Sequence, residues 1–437
     1  MTTLSAFSGS SMGAVSLEED ERMKVVVVGS GVIGLCSAWY LSERGHQVTI
    51  LERRGPDYEG CSYGNAGYVM LSHFVPLAAP GVVRMALKWM LDPESPFYVK
   101  PRIDWDLISW GWLFSRAATK ERVEIAAPIL RDLGAATLVE YRKLAEEWGN
   151  EFLFVQRGVL TVCQTAHHLA DEVRTAEAGR RIGIAADVID AKGIAELEPG
   201  ARIEALGGVL YPGDATISPG LFLRALIRRL SQKGVEVKWN TEVTGWRTGN
   251  GRIEAVRTTQ GDVQGDEYVV CGGSWSPAVV RDLDIKLPMQ AGKGYSLTLP
   301  NPPARVTRGI ILAEGRVAVT PIGDAMRFGG TMEISGTNEG ITPARIRGIV
   351  KTSCRYFKDY KPSDFEGIQP WSGLRPCSAD GLPYLGRFRK FANLSAATGH
   401  AMLGLSLGPI TGKLVAQHLS GEPTQIPLQM LAPDRYA

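Results

Sequence analysis

The sequence predicts an α/β protein in which a Rossmann-like domain with a parallel sheet is interleaved with an α+β domain built on an antiparallel sheet. Three observations predict this fold class. A strand, a glycine-rich turn, a helix and a second strand follow one another over residues 25–52. Residues 288–335 are rich in strand patterns, and residues 371–421 return to glycine turns and a final helix. Because glycine turns flank the strand-rich block, the chain is expected to pass back and forth between two domains.

The first unit carries a signal for dinucleotide binding. Residues 25–28 (VVVV) form an apolar run without alternation, which is typical of a parallel strand buried on both faces. A helix is predicted over residues 35–44, and a strand over residues 47–51 ends at Glu52, which is placed to bind a ribose diol. The turn between them has the G-x-G-x-x-G pattern, and the expected ligand contacts are Gly29, Ser30, Gly31, Val32, Ile33, Gly34, Glu52 and Arg53.

Each glycine of this turn has a physical reason. Gly29 permits the tight turn, Gly31 lets a pyrophosphate approach the backbone, and Gly34 lets the helix pack closely on the strand. The N-terminus of the helix offers N–H donors and a positive dipole to phosphates. The pattern predicts a dinucleotide and leaves open whether it is NAD or FAD.

Length and composition narrow the class of protein to which the chain can belong. The 437 residues suggest two or three domains, and 44% hydrophobic with 22% charged residues indicates a folded protein. The net charge of +2 gives no argument for a nucleic-acid partner. No metal-binding spacing and no run of 18 uncharged apolar residues is present in the sequence. The six cysteines are predicted to be mostly buried free thiols in a reducing cytoplasm: Cys36, Cys61, Cys163, Cys271, Cys354 and Cys377.

Further loops, helices and strands are predicted along the rest of the chain. Residues 1–22 lack the apolar core of a secretory signal and are expected to form a flexible extension. Residues 55–80 are predicted to form a long functional loop, because loops of this length inside a compact domain usually carry a function. Helices are predicted over 82–91, 105–116, 125–149, 167–182, 220–233, 342–356 and near 408–419. A proline-marked link is expected at 93–101 and a turn at 195–199. Two strands that meet at Arg157 and Gly158 are predicted within 151–163, and hairpin-linked strands over 235–271.

Four later stretches carry further motifs: CSYGNAG at 61–67, YVVCGGSWSP at 268–277, WSGLRPCSADGLPYLGR at 371–387 and LSAATGHAMLGLSLGPITG at 394–412. All four resemble the D-amino-acid oxidase/glycine oxidase superfamily of flavoproteins. Within that superfamily the chain is most similar to bacterial D-amino-acid dehydrogenases of the small-subunit type. The resemblance implies a D-amino-acid oxidase-like fold and FAD as the dinucleotide.

The resemblance also implies which residues bind FAD. The expected contacts beyond the first unit are Ser62, Asn65, Ala66, Gly67, Val243, Gly272, Gly273, Trp275, Gly373, Gly399, His400, Gly404, Leu405 and Ser406. Small residues let backbone N–H groups approach the flavin edge, and a helix N-terminus would stabilise negative charge on the reduced ring. Non-covalent binding is expected, because Cys377 does not match the register of the cysteine that binds flavin covalently in sarcosine oxidase relatives.

The substrate residues are inferred in the same way. Arg375 matches the family arginine that binds the substrate carboxylate, and a guanidinium can make two parallel charge-assisted bonds to a carboxylate. Tyr295, in the K-G-Y-S strand, is expected to cover the substrate or bond its carboxylate, with a core tyrosine as the alternative. His73 and His400 are candidates near the flavin or the substrate, with packing roles as the alternatives.

The expected reaction is oxidative deamination of a D-amino acid by hydride transfer from Cα–H to flavin N5, with a quinone or a dye as electron acceptor. The alternatives are a glycine/sarcosine-type oxidase that produces hydrogen peroxide, a D-proline or hydroxyproline dehydrogenase, a subunit that binds FAD only structurally, and an NAD-linked dehydrogenase. The FAD-binding domain is expected at 23–95, 205–285 and 366–425, the substrate domain at 96–204 and 286–365, and a tail at 426–437.

The segment 82–116 is a candidate for peripheral membrane contact. It contains Trp89, Trp105, Trp110 and Trp112, which basic residues flank. Tryptophan and basic residues on short amphipathic helices can seat a protein at a bilayer interface. The alternative is that these rings pack against the sheet domain. A cytoplasmic protein, with or without contact to the inner face of the membrane, is therefore expected, and the sequence does not indicate an oligomeric state.

Overall fold

The computed structural model describes residues 22–89, 92 and 94–436. The predicted N-terminal extension, apart from Arg22, lies outside the described residues, as do residues 90, 91 and 93 of the predicted helix end and proline link. The helices are α1 Val32–Glu43, α2 Val82–Trp89, α3 Trp105–Ala117, α4 Lys120–Glu147, α5 Ala166–Arg181, α6 Ala191–Leu197, α7 Pro219–Gln232, α8 Ser276–Val279, α9 Pro343–Tyr356 and α10 Gly404–Leu419.

In the part of the chain that the structure describes, the strands build two large sheets and two small ones. They are β1 Lys24–Val28, β2 Gln47–Leu51, β3 Tyr68–Val69, β4 Phe97–Val99, β5 Val159–Cys163, β6 Asp187–Asp190, β7 Gly207–Tyr211, β8 Ala215–Thr216, β9 Glu236–Lys238, β10 Val243–Gly249, β11 Arg252–Thr258, β12 Gly261–Val263, β13 Glu267–Val270, β14 Met289–Leu299, β15 Gly309–Leu312, β16 Val317–Ile322, β17 Ala325–Ile334, β18 Trp371–Ser378, β19 Tyr384–Arg387 and β20 Leu394–Thr398.

The first large sheet has the strand order β19-β20-β13-β1-β2-β9. All of its pairs are parallel except the edge pair of β19 and β20. Helices α1, α4, α7 and α10 pack against one face, and the small sheet β10-β11-β12 supplies residues to the core on the other face. Helices on a twisted parallel sheet confirm the predicted Rossmann-like arrangement.

The second large sheet has nine strands in the order β18-β14-β17-β16-β15-β5-β7-β6, with β4 beside β17. We predicted a separate antiparallel sheet from residues 288–335; this is corrected, because β5 pairs in parallel with β15 and β4 with β17. Strands β7 and β18, which we assigned to the FAD-binding domain, pair into this sheet. The division into domains stays a prediction.

Helices α1 and α10 pack closely, because glycines leave room for backbone contact. A Cβ on Gly412 would lie 2.4 Å from the carbonyl oxygen of Cys36. Helix α10 also contains Pro409, which has no N–H to donate to the carbonyl of Leu405. The Tyr141 hydroxyl of α4 donates to that carbonyl instead, at 2.6 Å. This replacement explains how α10 begins at Gly404, ahead of the predicted start near residue 408.

Other predicted boundaries also shift for local reasons. Helix α1 begins three residues early, at Val32, directly after the G-x-G turn. Helix α4 begins at Lys120 because the Thr119 side chain caps it. The predicted turn at 195–199 lies largely in α6, which Asp190 caps. The predicted pair of strands in 151–163 is a single strand, β5. Before it, Val155 forms only an isolated bridge with Thr216, and Gly158 follows with φ +79°.

Ion pairs of Arg435 with Asp380 and of Asp434 with Arg389 bind the C-terminal segment to the fold. The guanidinium of Arg435 donates to both carboxylate oxygens of Asp380 at 2.8 Å and lies over the ring of Tyr384. Asp380 belongs to the R-P-x-x-x-D-G motif, so this part of the motif anchors the chain end. None of the described helices combines the length and apolar character needed to cross a bilayer.

Candidate active site

A cavity of about 1510 Å³ lies between the two large sheets. It is larger than the roughly 300–1,000 Å³ of an ordinary small-ligand pocket. Most of the predicted site residues line it together: Gly29, Ser30, Gly31, Val32, Ile33, Glu52, Arg53, Ser62, Asn65, Ala66, His73, Val243, Gly272, Gly273, Trp275, Tyr295, Gly373, Arg375, His400, Gly404, Leu405 and Ser406.

Three predicted residues do not line the cavity but shape its walls. A Cβ on Gly34 would lie 1.9 Å from the carbonyl oxygen of Gly29, so Gly34 lets α1 contact the turn before it. Gly67, at φ +81°, and Gly399, at φ +78°, both lie in the left-handed region that favours glycine. A side chain on Gly399 would clash with the ring of Tyr384, at 2.7 Å. Their contribution is therefore to backbone geometry.

At one end of the cavity, the G-x-G turn leaves its backbone open. Gly29 has φ +111°, and a Cβ there would lie 2.7 Å from the carbonyl oxygen of Cys271. A Cβ on Gly31 would meet nothing within 4 Å. Gly31, the N-cap of α1, and the first helical residues line the cavity, and the Val32 N–H donates to the Ser62 hydroxyl at 3.4 Å. Such a helix N-terminus is suited to an anion.

The acid at the tip of β2 is held against the same turn. One carboxylate oxygen of Glu52 accepts hydrogen bonds from the Ser30 backbone at 2.9 Å and from its hydroxyl at 2.8 Å. The other oxygen accepts from the Arg54 backbone at 2.9 Å. Beside it, the guanidinium of Arg53 lies 3.8 Å from the ring centroid of Trp275. These contacts bring the first unit and the Gly272-Gly273 turn to one end of the cavity.

The loop at 61–67 is held against the second sheet by side chains from that sheet. Arg327 donates to the carbonyls of Tyr63 and Asn65 at 2.9 and 2.8 Å, and Ser296 donates to the carbonyl of Gly64 at 3.0 Å. Burial lowers the pKa of Arg327 to about 10. Trp371 packs so closely that a Cβ on Gly64 would lie 2.0 Å from its ring. The loop therefore presents a fixed backbone to the cavity.

Arg375 lies on β18, in the wall that the second large sheet contributes to the cavity. Its Nη1 donates to the carbonyl oxygen of Thr331 at 2.6 Å. Burial lowers its pKa, and no described carboxylate forms an ion pair with it. A guanidinium that faces a cavity without an anionic partner is suited to bind an anionic ligand.

Glycines on the neighbouring strand make room for this side chain. Residues on β14 alternate between the two faces of the sheet, and Gly292 and Gly294 share the face of Arg375. A Cβ on Gly294 would lie 2.2–2.3 Å from the three terminal guanidinium atoms of Arg375. Glycine at position 294 is therefore required for the observed position of the guanidinium.

Tyr295 is placed differently from our expectation. Its side chain is 1% exposed and belongs to the core on the face of the sheet that packs against α9, away from the face of Arg375. Its hydroxyl donates to Glu333 at 3.0 Å. The alternative interpretation, a core tyrosine, fits this placement, and the structure does not bring its hydroxyl to Arg375.

The two histidines line the cavity as neutral groups. Burial lowers the pKa of His400 to about 3, and burial together with Arg316 lowers that of His73 to about 4. Nε2 of His400 lies 3.0 Å from the hydroxyl of Thr411, while its buried Nδ1 has no hydrogen-bond partner among the described residues. An orphaned nitrogen at a cavity wall is a group that a ligand could satisfy.

The first turn of α10 forms another wall. The helix has no side-chain cap, and Gly404, Leu405 and Ser406 line the cavity. The Ser406 hydroxyl accepts from the Met70 backbone at 2.9 Å, which ties α10 to the segment after the 61–67 loop. Helices α1 and α10 thus both direct their N-terminal turns to the cavity.

The cavity also extends between α2 and α3. Its lining there is mainly apolar and includes Val82, Met85, Leu107 and Phe114. On the outer surface nearby, Ile103 is 96% exposed, and Trp105 and Trp112 are exposed as well. Trp110 instead is buried and donates to the Cys377 carbonyl at 3.0 Å. The tryptophans of this segment are thus divided between core and surface.

Several residues that shape the site carried no recognised signal in the sequence. Thr331 and Arg327 lie on β17, in a strand pattern that gives no hint of function. Asp214 accepts from the Leu71 and Ser72 backbones at 2.8 and 3.0 Å and so holds the segment that carries His73. Gly294 could have been found, because two glycines at alternate positions of a strand leave one face without side chains.

The cysteines are unpaired, and two of them contact the cavity. Cys36, Cys163, Cys271 and Cys377 are buried, as expected for most of the six, whereas Cys61 and Cys354 are half-buried. Cys61 and Cys271 line the cavity, and Cys377 does not. Burial raises the pKa of the Cys61 thiol to about 11. Thiols with raised pKa values are poor nucleophiles.

Comparisons with known proteins agree with this geometry. A family model described as FAD dependent oxidoreductase matches residues 24–418. The chain is 34% identical to a D-amino acid dehydrogenase of Granulibacter bethesdensis over 433 residues, covering 95% of this chain and 100% of the relative. It is also 34% identical to a D-amino acid dehydrogenase of Rhizorhabdus wittichii over 423 residues, with 95% and 100% covered.

Solved structures show the same fold at lower identity. Glycine oxidase from Geobacillus kaustophilus superposes with a TM-score of 0.77 at 22% identity, covering 95% of this chain and 99% of that chain. L-proline dehydrogenase from P. horikoshii superposes with a TM-score of 0.73 at 18% identity, covering 95% and 98%. At these identities the likeness concerns the fold alone.

Proposed function

The chain belongs to the FAD dependent oxidoreductase family, and from that premise we propose that it is a dehydrogenase for D-amino acids. In this proposal the enzyme oxidatively deaminates its substrate and passes the electrons to a quinone or an artificial dye. The relatives named D-amino acid dehydrogenase, which match nearly the whole chain, support the choice of substrate. The observation that carries the proposal is Arg375, a guanidinium at the cavity wall with no anionic partner among the described residues.

The residues at the wall fit FAD. Gly31 and the N-terminus of α1 would hold the pyrophosphate, and Glu52 would bind the ribose of the adenosine half. The fixed backbone of loop 61–67, the first turn of α10 and the orphaned Nδ1 of His400 would meet the flavin. We propose non-covalent binding, because Cys377 does not line the cavity. When bound, the flavin accepts a hydride at N5, which is the redox chemistry of the reaction.

Arg375 would bind the substrate carboxylate through the edge of its guanidinium that Thr331 does not occupy. This contact fixes the position of Cα, and orientation of the reacting atoms is a large part of catalysis. His73 and His400 are neutral at pH 7, since their pKa values of about 4 and 3 lie well below it.

The test of this function is anaerobic reduction of the FAD-loaded protein by amino acids of both hands. D-Alanine and other D-amino acids should bleach the flavin absorption, and their L-enantiomers should not. Subsequent exposure to air with a peroxide assay separates the dehydrogenase from the glycine/sarcosine-type oxidase, because an oxidase would form peroxide at the rate of substrate oxidation. Fast bleaching by D-proline or hydroxyproline alone would favour the cyclic imino-acid alternative. Failure of every D-amino acid to bleach FAD-replete protein would refute the proposal.

We propose further that the acceptor enters between α2 and α3, and that residues 82–116 contact the membrane from the cytoplasmic side. The apolar cavity lining between these helices and the exposed Ile103, Trp105 and Trp112 support this proposal. Trp105→Ser with Trp112→Ser should reduce co-sedimentation with lipid vesicles and slow quinone reduction, while activity with a soluble dye stays unchanged. Leu206→Ser, at a residue 56% exposed elsewhere on the surface, is the matched control. Equal vesicle binding by the double variant and the control would contradict the proposal.

A further inference from the structure

We propose that a β-bulge at Thr331 fixes the orientation of the Arg375 guanidinium and so presents its free edge to the substrate carboxylate. This inference rests on the proposed function of Arg375 and adds a positioning residue to it. Thr331 acts through its backbone carbonyl, which accepts from Nη1 of Arg375 at 2.6 Å.

The register of β14 and β17 reveals the bulge. Lys293 pairs with Glu333, and Tyr295 pairs with Gly330. Two steps along β14 thus correspond to three steps along β17, so that Gly294 opposes both Thr331 and Met332. An extra residue of this kind leaves the ladder locally unpaired and re-aims the groups around it. Here the freed carbonyl is the one that contacts Arg375.

The backbone at Thr331 is strained. Its φ is +70°, and the residue is 8% exposed. A β-branched residue in the left-handed region is a genuine outlier, and such conformations persist only where the surrounding structure imposes them. The sequence therefore keeps an unfavourable residue conformation at the point that touches the guanidinium.

Buried contacts on both sides impose the bulge. Directly after it, Glu333 lies 3.4 Å from Nζ of Lys293 and 3.6 Å from Nε of Arg345, and it accepts from Tyr295. Met332 donates from its backbone to the Pro96 carbonyl at 2.8 Å, which joins β17 to β4. Tyr295, on the far face of the sheet, thereby helps to hold the strand that orients Arg375.

Orientation matters because a guanidinium binds a carboxylate in its own plane. With Nη1 held by Thr331, the plane and the free edge are set before substrate arrives, so less side-chain freedom is lost on binding. Gly294 provides the space for this plane. The bulge and the glycine together determine the direction in which the carboxylate approaches.

Deletion of Thr331 tests the proposal, because it restores a regular ladder in which Met332 opposes Gly294 while the pairs on either side keep their faces. The expected result is full FAD content with an unchanged visible spectrum, and a rise of at least tenfold in the Kd of 2-aminoisobutyrate, an amino acid that has no Cα–H to lose. This Kd is measured from the change in flavin absorption. KM for D-alanine should rise with it, more than kcat falls.

Thr331→Gly is the matched control, since glycine adopts a positive φ and keeps the carbonyl. Its Kd should stay within about threefold of that of the parent. Should the deletion variant not fold, Thr331→Pro replaces it, because proline cannot adopt a φ of +70°. A parental Kd in the folded deletion or proline variant, or an equal loss in Thr331→Gly, would overturn the proposal.

Arg375→Ala, measured in parallel, separates this proposal from the one on which it rests. A parental Kd in Arg375→Ala would remove Arg375 from the carboxylate site and with it the proposed role of the site. Weak binding in Arg375→Ala together with parental binding in the deletion variant would overturn the role of the bulge alone.

Discussion

Substitution of Gly294 by alanine should damage substrate binding without unfolding the protein. The new Cβ would lie 2.2 Å from the nearest guanidinium atom of Arg375, whereas an ordinary contact needs about 3.4 Å. The guanidinium is the flexible end of its side chain, so it can yield by about 1.2 Å while the strands keep their pairing. A misplacement of this size in an active site costs about 10²-fold in rate, which corresponds to about 2.7 kcal/mol.

The assay is steady-state kinetics with D-alanine and a soluble dye, with the FAD content and the thermal melting of each variant measured as controls. Gly329→Ala is the matched control on the adjacent strand, because a Cβ there would meet Ser296 and Tyr295 at an ordinary 3.6 Å. We expect kcat/KM to fall about 10²-fold in Gly294→Ala and less than threefold in Gly329→Ala. Equal kcat/KM in the two variants would refute the placement of Arg375 over Gly294.

Four further predictions concern other parts of the molecule. Arg435→Ala should lower the free energy of unfolding by about 3–5 kcal/mol in urea titrations, since it removes the ion-pair partner of Asp380, whose side chain is only 18% exposed; a loss below 1 kcal/mol would contradict this. The Arg435 ion pair outweighs burial and lowers the pKa of Asp380. The difference in the free energy of unfolding between the parent and Asp380→Asn should therefore be complete above pH 4 and vanish as the pH falls through that lowered pKa. A pH-independent difference would contradict this. Glu52→Ala should weaken FAD binding by about 1–3 kcal/mol in fluorescence titrations, because it removes the acceptor of the Ser30 hydrogen bonds; parental affinity would contradict this. Acid precipitation of the parent should release all FAD, and flavin retained on the precipitate would contradict non-covalent binding.

Local patterns predicted the elements that depend on local chemistry. The unit at 25–52 could be identified because strand, turn, helix and strand follow one another along the chain, and because the contact that requires Gly34, with the carbonyl of Gly29, lies within the unit. Strand β2 has the predicted bounds, and most helices differ by one to three residues. The start of α10 was missed because the donor that replaces the N–H of Pro409 comes from Tyr141, more than 260 residues away in the chain. Such a donor has no local signature.

The sequence could predict residues that line the cavity, but not how their side chains are arranged around it. The motif at 371–387 singled out Arg375, whereas its contacts depend on pairing among β18, β14 and β17. The face on which Tyr295 lies follows from the alternation of β14, but which face meets the cavity is decided by that pairing. The bulge at Thr331 arises from a one-residue difference between two strands, and a single strand pattern does not show it.

The most direct test of the central claim is a cycle that removes the carboxylate from the substrate and the guanidinium from the enzyme. Anaerobic flavin reduction is measured with D-alanine and with ethylamine, which lacks the carboxylate, in the parent and in Arg375→Ala. If Arg375 binds the carboxylate, either change alone should cost about 2–5 kcal/mol, and both together should cost little more than one. Additive losses would contradict the account, because they would mean that the guanidinium and the carboxylate act independently.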